Sequence, residues 1–475
     1  MTFKLYINNQ SVPMKARTRT LLLFLLFPTL LHGQEIGLLR MNPDSLFSKG
    51  NAAVWGGIEE GQFRPTYGAD FQWSAGAETQ VVRHGKHSSW MGALSFEQTM
   101  GQHMRSSMLL EPDYFPLDIL ETTQGMKSRQ DVCLEAGFLA DFGYEWAAGI
   151  KASAKGALVS KQQTLAHRDY GLDLQVEPAL TYVMDDDMGL VSSYVVRLRT
   201  ENLQVTEEIE GDGHTPFMDK GLLYGSYLPG NAFQILEFSH GFSELLHSPE
   251  FSAGLEIIWK RGQAQDGRFR FPGSTLSTFA EYTILADKAD HVMRAAYKRQ
   301  RDQLREPTEG GSFNSDWDRT GRNLELKYEA RFLKGIMKSV AVVLDGNHWR
   351  ERSLMPSTFQ DQPKWFDGTA SLLTSFSYGA VDLDLNFLAG RGWWQDRGLN
   401  GEPANGQLRL TDYWNWKMDY RMVPRTGMGG TLTCRIPGVK GLYAQLYAFW
   451  YHAFNVTYLP GQNREIGTLK IGYKF

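Results

Sequence analysis

An all-β chain closed into a transmembrane antiparallel up-and-down β-barrel of about 16 strands (14–18) is the fold this sequence predicts. Three observations carry that expectation. An export signal opens the chain, apolar and charged residues alternate with a period of two from end to end, and the last segment finishes on an aromatic residue. Composition removes most competitors. Mean hydropathy of −0.36 with 21% charged residues excludes a bundle of membrane helices, each of which needs about 20 apolar residues in a row. Aromatic residues at 13% and 48 glycines do not suit a coiled coil or a disordered chain. With 49 basic against 53 acidic side chains there is no basic excess to hold a nucleic acid, so none is expected as a partner. Two cysteines, Cys133 and Cys434, cannot build a disulfide framework or a four-cysteine zinc site.

The signal occupies residues 1–33, with Met14 a plausible start. Lys15, Arg17 and Arg19 precede an apolar run from Leu21 to Leu31, and Gly33 stands before Gln34 as a small residue at a cleavage site. The run is too short to span a bilayer comfortably, which favours export over anchoring. Cleavage there removes four cations and no acid, so the 442-residue mature chain moves from a formal charge of −4 to −8. Residues 34–66 are less regular and are expected to form a periplasmic lead or small plug, with the barrel spanning 67–475.

The clearest strand signal is Leu324 to Phe332. Leu324, Leu326, Tyr328, Ala330 and Phe332 alternate with Glu325, Lys327, Glu329 and Arg331, so a strand would be apolar on one face and charged on the other. At about 100° per residue the same apolar set would scatter around a helix. Val381, Leu383, Leu385 and Phe387 oppose Asp382, Asp384 and Asn386. Trp414, Trp416, Met418, Tyr420 and Met422 oppose Asn415, Lys417, Asp419 and Arg421, and are read as another strand. Similar files run through Ala253–Trp259, Leu172–Val176, Phe142–Ile150 and Phe71–Ala75. Short turns such as Asp185–Gly189, Tyr378-Gly379 and Pro437-Gly438 separate some strands, while polar stretches at 105–128, 205–232, 302–320, 351–364 and 396–407 read as long loops. Short periplasmic turns alternating with long extracellular loops is the connectivity of an outer-membrane barrel.

The chain ends on Leu469, Ile471, Tyr473 and Phe475 facing one way, with Lys470, Gly472 and Lys474 facing the other. Such an ending resembles the assembly signal read by the barrel assembly machinery. With the cleavage before Gln34 and the Pro460-Gly-Gln-Asn-Arg464 loop, the chain is similar to a poorly characterised family of Bacteroidota-type outer-membrane β-barrels associated with TonB-dependent receptors. The resemblance implies an outer-membrane location and a TonB-dependent receptor and surface lipoproteins as companions. It supplies no catalytic, metal or cofactor residues.

Chemistry-bearing motifs are scarce. There is no Gly-x-Ser-x-Gly, His-Glu-x-x-His, phosphate-binding Gly-rich loop or Cys-x-x-Cys. His84 and His87, and the run Asp185–Asp187, fit hydrated turns better than metal sites. No catalytic residue, metal or cofactor is expected, although His348, His452 and Asn455 lie where a barrel hydrolase could place polar groups. Lumen-facing positions are expected at Glu325, Lys327, Glu329, Arg331, Asp382, Asp384, Lys417, Asp419, Arg421, Lys470 and Lys474. Their mixed signs fit either a lined channel or an ion-paired filling. The functional expectation is a non-enzymatic barrel in envelope transport, either a passive channel or an accessory to a TonB-dependent uptake complex. A scaffold for surface lipoproteins and a hydrophobic-substrate channel are the alternatives.

Overall fold

The computed structural model describes residues 49–143, 145–184, 188–206, 215–228, 230–311, 313–355, 361–397 and 408–475. The expected signal segment, residues 34–48 and the turn Asp185–Asp187 lie outside them. In chain order the strands are β1 (Lys49–Gly61), β2 (Phe71–His84), β3 (Ser88–Ser107), β4 (Asp118–Asp141), β5 (Trp146–Lys161), β6 (His167–Val183) and β7 (Gly189–Val205). Next come β8 (Phe217–Asp219), β9 (Tyr224–Tyr227), β10 (Ala232–His247), β11 (Phe251–Ala264), β12 (Phe269–Ile284), β13 (Ala289–Pro307) and β14 (Phe313–Phe332). The rest are β15 (Met337–Met355), β16 (Lys364–Tyr378), β17 (Val381–Asp396), β18 (Leu408–Arg409), helix α1 (Thr411–Met422), β19 (Arg425–Arg435), β20 (Leu442–Ala453) and β21 (Asn463–Lys474).

Eighteen of these strands form one closed antiparallel up-and-down barrel, in which each pairs with its neighbours in the chain and β21 returns to pair with β1. The short β8, β9 and β18 are not part of the wall: β8 pairs the start of β4, β9 pairs β8, and β18 pairs β9. Closure is tight at the ends. Gly50 and Phe475 exchange backbone hydrogen bonds of 2.9 and 3.0 Å, so no strand edge is left open at this seam.

Alternation does the local work. Along β14, Leu324, Leu326 and Tyr328 are exposed while the intervening Lys327 and Glu329 are buried, and the same division recurs around the wall. Exposed apolar side chains on a closed sheet are what a lipid-facing surface requires. On β10 the outward file, apolar apart from His240 and Glu244, runs from Leu236 to Leu246, about 25 Å of height for strands tilted near 40°. No helix of the described residues is long and apolar enough to cross a membrane. The rim holding the β2–β3, β4–β5, β10–β11 and β16–β17 turns has connections of two to six residues. By connection length it is the periplasmic rim, and β1 begins and β21 ends there.

Several expectations are corrected. The barrel starts at Lys49 rather than at 67, because residues 49–61 of the supposed lead form β1 and close the sheet. The stretches 105–128 and 302–320 are mostly strand. β3 and β4 are interrupted only at 108–117, and β13 and β14 stay in register as far as Glu306 opposite Ser315. Their polar sequences reflect strand ends projecting beyond the lipid. Phe142 lies in a turn, so that strand begins at Trp146.

The largest correction is α1. Residues 411–422, read as a strand that would carry Lys417, Asp419 and Arg421, form a helix. A period of two in a helix places alternate residues about 200° apart, and hence on opposite faces. Trp414, Met418 and Met422 face one apolar cluster, and Trp416, Tyr420 and Val423 face another. The alternation is therefore two helical stripes sandwiched between two cores. Pro424 ends the helix, holding Val423 in an extended conformation at φ −63° and ψ 141°. Losing that strand also gives an even count, which brings both ends of the barrel to one rim.

Candidate functional site

The candidate site is the outer mouth of the lumen, which the connections 62–70, 108–117, 215–231 and 408–424 fill from inside. Its main apolar core joins Met108, Leu109, Phe115 and Leu117 of the β3–β4 connection to Phe217, Met218, Leu222 and Leu223 of the inner hairpin and to Tyr413, Trp414 and Met418 of α1. The same core includes wall residues Leu120 on β4, Leu203 on β7, Phe271 on β12, Trp317 on β14 and Trp365 on β16. β4 and β14 lie on nearly opposite sides of the 18-strand ring. A single packed cluster that touches both crosses the lumen. On the remaining side, Phe63, Trp416, Val423, Ala453 and Leu459 complete the filling.

The β3–β4 connection is fastened residue by residue. The Leu110 N–H donates to Glu201 Oε1 at 2.6 Å. Glu111 pairs with Arg199 at 3.0 Å and Lys155 at 3.5 Å. Asp113 meets Lys417 at 2.5 Å and Arg421 at 3.6 Å, while Arg319 donates to the Asp113 carbonyl at 3.1 Å. The Tyr114 hydroxyl donates to Glu237 at 2.7 Å, with the Arg199 guanidinium 4.0 Å above its ring. Phe115 packs edge-on to Phe271, 5.8 Å away. One ten-residue connection thus reaches β5, β7, β10, β12 and β14. An open cleft of about 410 Å³ is lined by Glu111, Asp113 and Tyr114 of this connection with Arg129 and Gln300 of the wall.

Helix α1 is held as firmly. Tyr413 donates to the Glu121 carbonyl at 2.9 Å and the Trp416 indole to the Arg64 carbonyl at 2.9 Å. Asp419 Oδ2 accepts the backbone N–H groups of Thr457, Tyr458 and Leu459 at 2.8, 2.7 and 3.2 Å. Trp414 continues a row of indoles through Trp394 to Trp365 on the wall, at centroid distances of 6.5 and 6.1 Å. The inner hairpin turns at Gly221, with φ +108°. A Cβ there would lie 2.6 Å from the Trp317 ring, so glycine is required both by conformation and by space.

Burial and charge set the protonation of the loop groups. Burial alone would raise the Asp113 carboxyl, but Lys417 and Arg421 outweigh it and hold the group well below the usual carboxylate range. Glu111 is lowered likewise, with Arg199 and Lys155 prevailing over burial. Asp219 on β8 is pushed up to about 7 by burial, which Lys417 and the Gly221 N–H only partly offset. Tyr67 and Tyr413 are each raised to about 12, chiefly by burial.

Of the eleven side chains expected to face the lumen, eight lie on wall strands and three on α1. Glu325 approaches Arg294 at 4.0 Å, and Glu329 bridges Lys327 and Arg331 at 3.0 Å each. Asp382 pairs with Arg435 at 3.1 Å, Asp384 stands opposite Ser375, and Lys470 meets Glu78 at 2.5 Å. Lys474 lies 5.3 Å from the centre of the Tyr443 ring. Lys417, Asp419 and Arg421 are brought together with Asp113 and the 457–459 backbone by the plug rather than by the wall. Leu469, Ile471, Tyr473 and Phe475 all stand on the exposed face of the last strand. The sequence reading missed the plug, although the signal was present: 108–120 reads Met-Leu-Leu-Glu-Pro-Asp-Tyr-Phe-Pro-Leu-Asp-Ile-Leu, far too apolar for a solvated loop.

The residues considered for other chemistry are dispersed. His348 contacts Gln395 at 3.3 Å on β15 and β17, and His452 contacts Asn463 at 2.6 Å on β20 and β21. Asn455 lies in the β20–β21 connection. His84 is bonded to Ser89 at 3.0 Å. Cys133 and Cys434 are free thiols on β4 and β19. Among the described residues no group of three or more His, Cys, Asp or Glu side chains gathers into a metal-binding cluster.

No protein-family model and no curated protein matches the chain. Solved structures with a similar outline include the FrpB iron transporter from Neisseria meningitidis (F3-3 variant). It is 7% identical, with 93% of this chain and 83% of that one covered at a TM-score of 0.46. BauA, the ferric preacinetobactin receptor from Acinetobacter baumannii, is 9% identical over 90% of this chain and 80% of its own, at 0.41. CdiB from Acinetobacter baumannii is 9% identical over 90% and 60%, at 0.38. At such identities a likeness concerns fold alone. The assignment rests instead on the wall itself: a closed 18-stranded sheet with an apolar exterior and a charged interior is an outer-membrane β-barrel.

Proposed function

We propose that this chain is a non-enzymatic barrel of envelope transport, working as a gated passage that its own connections shut at the outer mouth. The observation that supports the reading is the apolar core spanning from β4 to β14 through the 108–117 connection and α1. An 18-stranded barrel without such a filling would be wide enough for an aqueous channel. Passage of a solute therefore requires this filling to move aside. Such a closed state suits a barrel opened by a companion better than a permanently open pore, which favours the role of accessory to a TonB-dependent uptake complex.

Single-channel recording in planar bilayers tests the gate. The unmodified barrel is expected to stay closed, and variants that loosen the plug (D113A, W414A) are expected to conduct. Large steady openings of the unmodified protein would overturn the gate. Silence of every plug variant would instead favour the second reading, a scaffold for surface lipoproteins, which the dense ion pairing around Glu111, Asp113 and Glu329 also suits. Co-purification of a TonB-dependent receptor from native membranes would support the accessory role. The outward file Leu469, Ile471, Tyr473 and Phe475 is proposed as the signal for the barrel assembly machinery, and F475A is expected to lower the heat-modifiable folded fraction.

A further inference from the structure

Guanidinium groups gather on one sector of the outward wall, directly above its apolar belt. On β13, β14 and β15 the cross-strand register sets Met293, Tyr328 and Val342 side by side, all exposed, and above them Ala295, Leu326 and Leu344. After Tyr297, Leu324 and Gly346, the next row toward the outer rim is Arg299, Arg322 and His348, and the one beyond it Arg301, Thr320 and Arg350. All four arginines are exposed. Arg299 stands ten residues from the periplasmic start of β13 at Ala289, about 26 Å of height for a strand tilted near 40°, so the two rows lie at the outer edge of the hydrocarbon. Arg299 and Arg322 are directly opposite each other, and like charges so placed repel across a Cβ separation of about 5 Å. The carboxylates of this face lie higher, where Asp318 meets Arg301 at 3.7 Å and Arg352 at 3.2 Å. Among the described residues no carboxylate forms an ion pair with Arg299, Arg322 or Arg350. On β1 and β21, eleven residues up from Lys49, the facing pair is instead Glu60 and Glu465, both exposed. The positive charge is thus a property of this sector and not of the whole rim.

We infer that Arg299, Arg322, Arg301 and Arg350 bind the phosphorylated head group of an outer-leaflet lipid, whose acyl chains lie on the apolar rows beneath them. Three considerations select that occupant. Guanidinium forks match phosphate oxygens in paired hydrogen bonds, and an anion seated between Arg299 and Arg322 turns their repulsion into two attractions. The unbroken passage from arginine rows to the exposed Leu324, Leu326 and Tyr328 calls for an amphiphile, charged above and apolar below, where a free anion would engage the upper rows alone. Height selects the leaflet, because head groups of the inner leaflet meet the opposite rim. A soluble acidic protein would have to displace lipid head groups to touch the Arg299–Arg322 row. This inference stands apart from the gating of the outer mouth, since the cluster lies on the outside of the wall.

Native mass spectrometry of the barrel, extracted from outer membranes into mild detergent, tests the site. The expected result is a retained phosphorylated lipid that falls at least fivefold in R299Q/R322Q and in R301Q/R350Q. The control R168Q, which removes an exposed arginine on β6, should leave retention unchanged. Heat-modifiable migration, expected to match the parent, separates loss of lipid from loss of folding, and the two double variants test the site independently of each other. Delipidated barrel is then given lipid A, its dephosphorylated form or inorganic phosphate. Lipid A should bind at least tenfold more tightly than the dephosphorylated form, and millimolar phosphate should not displace it. Absence of any retained phosphorylated lipid, retention indifferent to both double variants, equal binding of the dephosphorylated lipid, or complete displacement by inorganic phosphate would each overturn the proposal.

Discussion

Replacing Asp113 by alanine is the most direct perturbation of the plug. Its carboxylate is the meeting point of Lys417 and Arg421, both from α1, and the wall's Arg319 adds a weaker attraction. Breaking a fully buried pair by removing one partner costs about 3–5 kcal/mol, whereas a fully exposed pair contributes about 0.2–1. Here the side chains are 33% exposed for Asp113, 22% for Lys417 and 24% for Arg421. The cost of D113A is accordingly placed between those limits, at about 2 kcal/mol. That corresponds to roughly a 30-fold rise in the open population of the connection. Hydrogen exchange reads it directly. The Leu110 amide, which donates to Glu201, should exchange about 30-fold faster in D113A while amides of β14 and β21 stay unchanged. The double variant D113A/K417M should recover part of the loss, because one orphaned cation goes with its partner. Acceleration below threefold at Leu110, with the barrel intact, would refute the idea that Asp113 latches the plug to α1.

Other expectations follow from the same packing. W414A removes an indole shared between the main core and the Trp394 stack. It should weaken the plug by about 3–5 kcal/mol and produce openings in bilayers without altering heat-modifiable migration. G221A forces a Cβ against the Trp317 ring at a positive-φ position and should expose the inner hairpin to protease, whereas G156A, at an ordinary φ where a Cβ meets nothing within 4 Å, should not. Asp219 gives a pH signature. Its carboxyl is raised to about 7 in the closed plug from a usual 3.8, so the closed state holds a proton that the open state has lost. Stability of the plug should fall as pH rises from about 4 to about 7 and level off above, and D219N should flatten that fall in exchange rates. Asp113 acts in the opposite sense. Its carboxyl is lowered in the closed state, so its contribution is present above the ordinary carboxylate range and is lost on stronger acidification.

The wall was legible in the sequence because a strand's two faces are written in adjacent residues. Leu324–Phe332 and Val381–Phe387 need only their own order to state which side meets lipid, and closure follows from the demand that every backbone group in hydrocarbon be paired. The plug was not legible in the same way. Trp414–Met422 alternates as a strand does, and the choice of helix depends on apolar groups arriving on two opposite sides, from Met108 and Phe217 on one and from Phe63 and Leu459 on the other. Those groups are distant in the chain and near only after the barrel has closed. The charges of 302–320 misled for a related reason: Asp302 finds Arg319, and Glu306 finds Lys220 and Arg268, only across strands and connections. Sequence by itself thus determined an amphipathic sheet with a greasy exterior, since that information is local. Tertiary structure decided whether the lumen is open, because occlusion depends on which distant segments fold back to occupy it.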